Sequence, residues 1–293
     1  DGADGSNAPI SPDKMRILLV GFLVGFALPC IIFLMRLFMD TKVHSKKDLK
    51  GNVSLPFLGE IPLDNAIVKK KKNAAITADG DDVLTEAFRI LRTNMEFMGK
   101  KEQEMKVITF SSFNEGAGKT FISTNLAAQY AMTGHPTILL DMYIRKPNVH
   151  DKLGMEAQVG VTNYLIGDCT LDDIILHNDK LGFDVIPAGT VPPNPGELIR
   201  SEKLTELFNI LRQRYSFLII DSSPVGIVPD AMALIGQTDI TLYVLRCMTT
   251  DKRFAKQTLE NLALHYKDKI NLLLSDIPAG KPGKYGYGYG ASY

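Results

Sequence analysis

Between Arg16 and Arg36 the chain carries no charge, and the run Ile17–Met35 reads ILLVGFLVGFALPCIIFLM. As an α-helix this run covers about 28 Å, close to the ~30 Å hydrocarbon thickness of a bilayer. A helix buried in a soluble core rarely stays apolar on every face for so long, so the run predicts one transmembrane helix over residues 15–38. A cleaved signal peptide would have a shorter apolar region followed by small residues, whereas Arg36, Leu37 and Phe38 follow here. Pro29 removes an amide donor and predicts a kink. Gly21 and Gly25 form a GxxxG pair, which fits close approach of a second helix and the ordinary abundance of glycine in membrane helices equally well.

The flanks set an expected orientation. Arg36, Lys42, Lys46, Lys47, Lys50 and the block Lys69–Lys72 follow the span, while Asp1, Asp4 and Asp13 precede it with only Lys14 and Arg16. Basic flanks stay in the cytoplasm, which puts residues 1–14 outside as a short stub. The stub has no core of its own and begins without methionine, so the chain reads as the C-terminal part of something longer. The block Lys69–Lys72 fits a lipid-surface contact and a merely solvated run alike.

Residues 39–80 read as a juxtamembrane linker, with LPFLGEIP (Leu55–Pro62) as an extended, proline-bracketed piece. A soluble domain is expected over 81–284. It opens with a helix, DVLTEAFRILRTNMEFM, whose Leu84, Phe88, Leu91 and Met95 recur at helical spacing. Apolar runs then alternate with helical ones: Val107–Phe110, Thr137–Leu140, Phe183–Ile186, Phe217–Ile220, Ile240–Val244 and Ile270–Leu274 as strands, with Phe121–Met132, Glu197–Arg214 and Arg253–Tyr266 as helices. Strands that are apolar throughout imply a parallel sheet covered on both faces, with the ligand at the strands' carboxyl ends.

The first of those ends carries SSFNEGAGKT and runs straight into a helix. The span Asn114, Glu115, Gly116, Ala117, Gly118, Lys119, Thr120 and Phe121 is the candidate nucleotide-binding loop. Small residues let successive amides turn onto phosphate oxygens, Lys119 reaches the β/γ-phosphates and the Thr120 hydroxyl is placed for Mg²⁺. The strict pattern asks for glycine at 113, where Phe113 stands. TILLD and FLIID end in Asp141 and Asp221. Buried-strand aspartates need a positive partner, so Lys119, Asp141 and Asp221 are the candidate catalytic set and Thr120, Asp141 and Asp221 the candidate metal set. Asp141 is also placed to accept a proton from an attacking hydroxyl. The alternative for either acid is that it caps the following segment. The fold class is therefore α/β, a P-loop NTPase-like parallel sheet with helices on both faces, preceded by one transmembrane helix.

GAGKT, LLDMYIRKP, FLIIDSSP, the AFRILRTNMEF helix, IPAGTVPPNPGELI and the tail KYGYGYGASY together resemble the bacterial protein-tyrosine kinases of capsule and exopolysaccharide export. The span and its proline-containing stub resemble the end of a polysaccharide co-polymerase domain. The resemblance implies ATP and Mg²⁺ as cofactors and an inner-membrane location with the kinase domain in the cytoplasm. It makes the loop a modified Walker A that does not need glycine at 113, and Asp221 the Walker B acid. It also implies a ring of subunits assembled through Glu86, Arg89 and Arg92, which on a lone helix would pair internally. Tyr285, Tyr287, Tyr289 and Tyr293, in the tail 285–293, are the implied phosphoacceptors, offered to a neighbouring subunit. Partners implied are the chain itself, the bilayer, the export and polymerisation machinery and a tyrosine phosphatase.

Partitioning and septum-positioning ATPases share the loop but carry lysine where Asn114 stands, and have neither a membrane helix nor a tyrosine tail. Two departures from the resembled family matter. Its Asp-x-Asp-x-Arg reads Asp141-Met142-Tyr143-Ile144-Arg145, without the second acid, and Asp276 stands where asparagine is usual near the base. A nucleotide-binding structural subunit with weak or no kinase activity is the competing reading. Equal numbers of basic and acidic residues, 33 each, give no global pull toward nucleic acid. Cys30, Cys169 and Cys247 are too scattered for a zinc site or a disulfide framework.

Overall fold

The computed structural model describes residues 14–49, 55–63, 82–99, 106–226 and 230–278. The expected stub, the block Lys69–Lys72 and the tail tyrosines lie outside them. The chain divides into two compact units, one ending at Thr41 and one beginning at Lys42.

The first unit is α1 (Lys14–Met39), which runs through Pro29 without a break. The large apolar side chains described on it are exposed all round, and Phe22 stacks on Phe26 one turn later at 6.4 Å. Such a helix satisfies its own backbone bonds and needs an apolar surrounding for its side chains.

The second unit is built on an eight-stranded sheet: β1 (Phe57–Leu63), β2 (Val107–Ser112), β3 (Thr137–Met142), β4 (Leu176–Asn178), β5 (Phe183–Ile186), β6 (Phe217–Ser222), β7 (Ile240–Arg246) and β8 (Ile270–Pro278). Their order is β1-β8-β7-β2-β6-β3-β5-β4. Every neighbouring pair is parallel except the antiparallel β4–β5 at one edge. All six expected strands are present. Two were not foreseen, and one of these corrects the linker reading of 39–80. Phe57–Leu63 is a strand paired to β8, and Val43 is fully buried, its amide and carbonyl bonded to Thr250 and Met248.

Strand alternation sorts the core. Ile108, Phe110, Leu139, Ile219 and Leu242 face α2 (Val83–Gly99) and α3 (Lys119–Met132). Val107, Ile138, Leu140, Leu218 and Ile220 face the opposite layer, which includes α5 (Val161–Ile166) and α8 (Glu202–Arg214). On β7 and β8, Tyr243, Leu245, Leu272 and Leu274 pack on α10 (Lys252–Tyr266). The expected single helix 197–214 is two, α7 (Pro195–Ile199) and α8. The break falls where the Ser201 hydroxyl accepts from the Leu204 amide and caps the second helix. The remaining short helices are α4 (Val149–Leu153), α6 (Leu171–Ile174) and α9 (Asp230–Gln237).

Candidate nucleotide site

β2 lies between β7 and β6, so the loop after it opens at the crevice where connections leave to opposite sides. Gly116 and Gly118 both adopt left-handed backbone, at φ +76° and +89°. That geometry strains any side chain and turns the chain abruptly into α3, whose first-turn amides have no partner within the helix. Gly226 backs the loop: a Cβ there would strike the Phe113 carbonyl oxygen. Phe121 turns its ring into the core, edge-on to Phe88 at 6.1 Å, which leaves its backbone as the part facing the loop.

Lys119 is buried, with Nζ donating to Ser112 Oγ at 3.0 Å, and Ser112 Oγ in turn donates to the Asn114 carbonyl at 2.7 Å. Burial pulls the Lys119 pKa down, against the attraction of Asp221 and Glu115. Thr120 Oγ1 donates to Asp221 Oδ2 at 2.5 Å and lies 3.3 Å from Asn148 Oδ1.

The register of β3 and β6 sets Asp141 directly beside Asp221. The two acids are treated differently. The Asp141 carboxylate accepts the amides of Tyr143, Asn148 and Val149 at 3.1, 3.0 and 3.0 Å. It therefore caps the turn into α4. Asp221 is 1% exposed, and its Oδ1 has no hydrogen-bond partner among the described residues. Burial, then the neighbouring Asp141 charge, pushes its carboxyl up to about 6, against Thr120 and Lys119. An orphaned carboxylate oxygen beside a hydroxyl and an ammonium suits a divalent cation carried in with phosphates. Among the described residues no three His, Cys, Asp or Glu gather as a self-sufficient metal cage.

Glu115 is exposed and takes Tyr143 Oη at 2.5 Å and Lys146 Nζ at 2.7 Å. Sequence reasoning missed Ser112, Asn148 and Arg246. Arg246 stands at the end of β7, donates to the Gly116 carbonyl at 2.8 Å and pairs with Asp276. Its place at a strand's carboxyl end was a signal that could have found it. Arg145 pairs with buried Asp230 at 2.9 Å. Away from the loop, Arg89 reaches Glu86 at 3.3 Å and Arg92 reaches Glu96 at 3.4 Å, all along α2.

A glycine-turned loop between a buried strand and helix, with lysine, threonine and a strand-end acid converging on it, defines a phosphate-loop α/β nucleotide-binding protein. Residues 105–271 match the family model described as an AAA domain. Tyrosine-protein kinase ptk of Acinetobacter johnsonii is 30% identical over 94% of this chain, and YwqD of Bacillus subtilis strain 168, also a tyrosine-protein kinase, is 29% identical over 75% of this chain and 92% of its own. The kinase domain of Escherichia coli tyrosine kinase ETK superposes with a TM-score of 0.74 at 26% identity, covering 84% of this chain and all of that one. The chimerical protein CapA2B2 gives 0.71 at 29% identity over 80% of this chain and all of its own. The chain belongs to this family of bacterial tyrosine-protein kinases. It spans 38% of the length of ptk.

Proposed function

We propose that the chain is an ATP-dependent protein-tyrosine autokinase, anchored in the bacterial inner membrane by α1. It phosphorylates Tyr285, Tyr287, Tyr289 and Tyr293 of a neighbouring copy and so regulates capsule or exopolysaccharide polymerisation and export. The observation that carries this reading is the buried Asp221 Oδ1, without a hydrogen-bond partner among the described residues, beside Thr120 and Lys119 beneath a glycine-turned loop.

On this reading the amides from Asn114 to Phe121 hold the phosphates and Lys119 neutralises them. Thr120 and Asp221 would hold Mg²⁺, which would supply positive charge to offset that of the phosphates. The capped Asp141 contributes its charge through Asp221. Most of the rate comes from positioning and charge stabilisation. Glu86, Arg89 and Arg92, paired along their own helix in the single chain, would re-pair across a ring of subunits. Export machinery and a tyrosine phosphatase are the further partners. Phosphorylated tail tyrosines add about −1.5 to −2 charge each, enough to loosen such a ring.

The second reading, a nucleotide-binding structural co-polymerase subunit, is favoured by Tyr143 in place of an acid. Incubating the chain with ATP·Mg²⁺ and weighing its tail peptides separates the two. Tail phosphorylation in the natural chain and none in Lys119→Met is the expected result. Equal labelling of both would refute the site, and labelling of neither would favour the structural subunit.

A further inference from the structure

Three carboxylates, Glu115, Asp141 and Asp221, lie around the start of α3, and their surroundings divide the work between them. Asp141 is fully buried and spends both oxygens on backbone amides. Asp221 is equally enclosed and bonded to Thr120. Asp141 is held by the turn into α4 and Asp221 is given to Thr120 and the cation, so neither faces outward to a hydroxyl arriving from another chain. Glu115 is exposed, and it already holds a phenol, the Tyr143 hydroxyl at 2.5 Å. The Tyr143 ring centre lies 6.0 Å from Lys119 Nζ, so this phenol–carboxylate pair stands at the mouth of the phosphate loop.

We propose that Glu115 is the carboxylate that receives the acceptor tyrosine, and that Tyr143 and Lys146 are positioning residues that aim it. The inference rests on the kinase reading above and names the group that serves the acceptor at that site. A carboxylate offers about four lone-pair positions, so Oε1 and Oε2 can each keep their present donor and still accept a second phenol. Without those donors a glutamate on a glycine-rich turn has several rotamers. The hydrogen bond from Tyr143 and the ion pair with Lys146 select one. Lys146 also offsets the negative charge that Glu115 would otherwise present to the γ-phosphate.

In the transfer step the acceptor's phenolic oxygen forms a bond to the γ-phosphorus, and the bond from that phosphorus to the β,γ-bridging oxygen breaks. ADP leaves with that bond's electron pair. The phenolic proton passes to Glu115, late in the step, as the phenolic oxygen loses electron density to phosphorus.

The test uses the full 293-residue chain in detergent, measuring single-turnover tyrosine phosphorylation and ATP·Mg²⁺ affinity side by side. Glu115→Gln keeps an acceptor for Tyr143, turns an amide NH2 toward Lys146 in place of the second oxygen, and removes the base. It should slow transfer by about 10²-fold, the low end for a general base, with nucleotide affinity unchanged. Tyr143→Phe, which removes only the aiming hydroxyl, should slow transfer by a smaller factor, again with affinity unchanged. A wild-type rate in Glu115→Gln would overturn the assignment, and so would a rate that falls only in step with nucleotide affinity. A natural chain that transfers no phosphoryl group, indistinguishable from Lys119→Met, would remove the kinase reading and this inference with it.

Discussion

Asp221 shows what a nucleotide site costs a protein before the nucleotide arrives. Its carboxyl is pushed up to about 6 by burial and by Asp141, so at neutral pH the folded chain holds an ionised group that the interior disfavours. The sign follows directly: the folded state binds this proton more tightly than the unfolded chain, so the penalty is absent below the ordinary carboxyl value of 3.8, grows as pH rises from there to about 6, and is fully developed above it. Asp221→Asn keeps an acceptor for Thr120 Oγ1 and removes the charge. In thermal melts at neutral pH without nucleotide, the variant should be more stable than the natural chain by about 1–3 kcal/mol. The stabilising shift given by ATP·Mg²⁺ should disappear in the same variant. A less stable variant that still responds to nucleotide would refute both halves of the argument. The residue was legible in the sequence, because FLIID ends an apolar strand on an acid. The difference between it and Asp141 was not, since that rests on three amides donated by a turn whose path no local pattern reveals.

At the scale of elements, the pattern gave six strands and the main helices and failed where structure depends on distant pairing. β1 contains Gly59 and Pro62, reads locally as a linker, and becomes a strand only because β8 lies beside it. β4 is three residues long and too short for alternation to register. The split between α7 and α8 was legible in principle, for Ser201 before Glu202 is a helix-start signal. Asp239, just before β7, ties three elements together. It accepts the amides of Lys106 and Val107 at 2.9 and 2.8 Å and two bonds from Arg212 of α8 at 2.9 and 2.7 Å. Burial pushes its carboxyl up, but Arg212 and the two amides outweigh it and hold the pKa below 3.8. A depressed folded-state pKa gives stability that is complete above 3.8 and is lost as pH falls through the lower folded value. Asp239→Asn should therefore cost about 1–3 kcal/mol in urea unfolding at pH 7. The gap between variant and natural chain should narrow in acid, and a gap that stays constant down to pH ~2 would contradict the linkage.

For the molecule as a whole, the helix α1 was legible from composition alone, because the uncharged run Ile17–Met35 needs no knowledge of its neighbours. Assembly is the opposite case. Glu86, Arg89 and Arg92 recur at a spacing that serves a helix equally well alone or against a second subunit, and in the single chain they pair along α2 with the help of Glu96. Magnitudes separate the two uses. Exposed pairs three or four residues apart stabilise a helix by about 0.2–0.5 kcal/mol each, so losing them barely touches the fold. The same charges shared between subunits would be lost at every interface of a ring at once, and weak contacts multiplied by closure decide whether the ring exists. Replacing all three by alanine should leave the urea midpoint within about 0.5 M of the natural value while converting oligomers to monomers in light scattering of the detergent-solubilised chain. Trans-phosphorylation of the tail should fall with the loss of neighbours, and recover when the chains are concentrated or crowded on one vesicle. Unchanged particle mass in the triple variant would leave the three residues as a helix's own ion pairs, and the tail would have to reach a site by some other assembly.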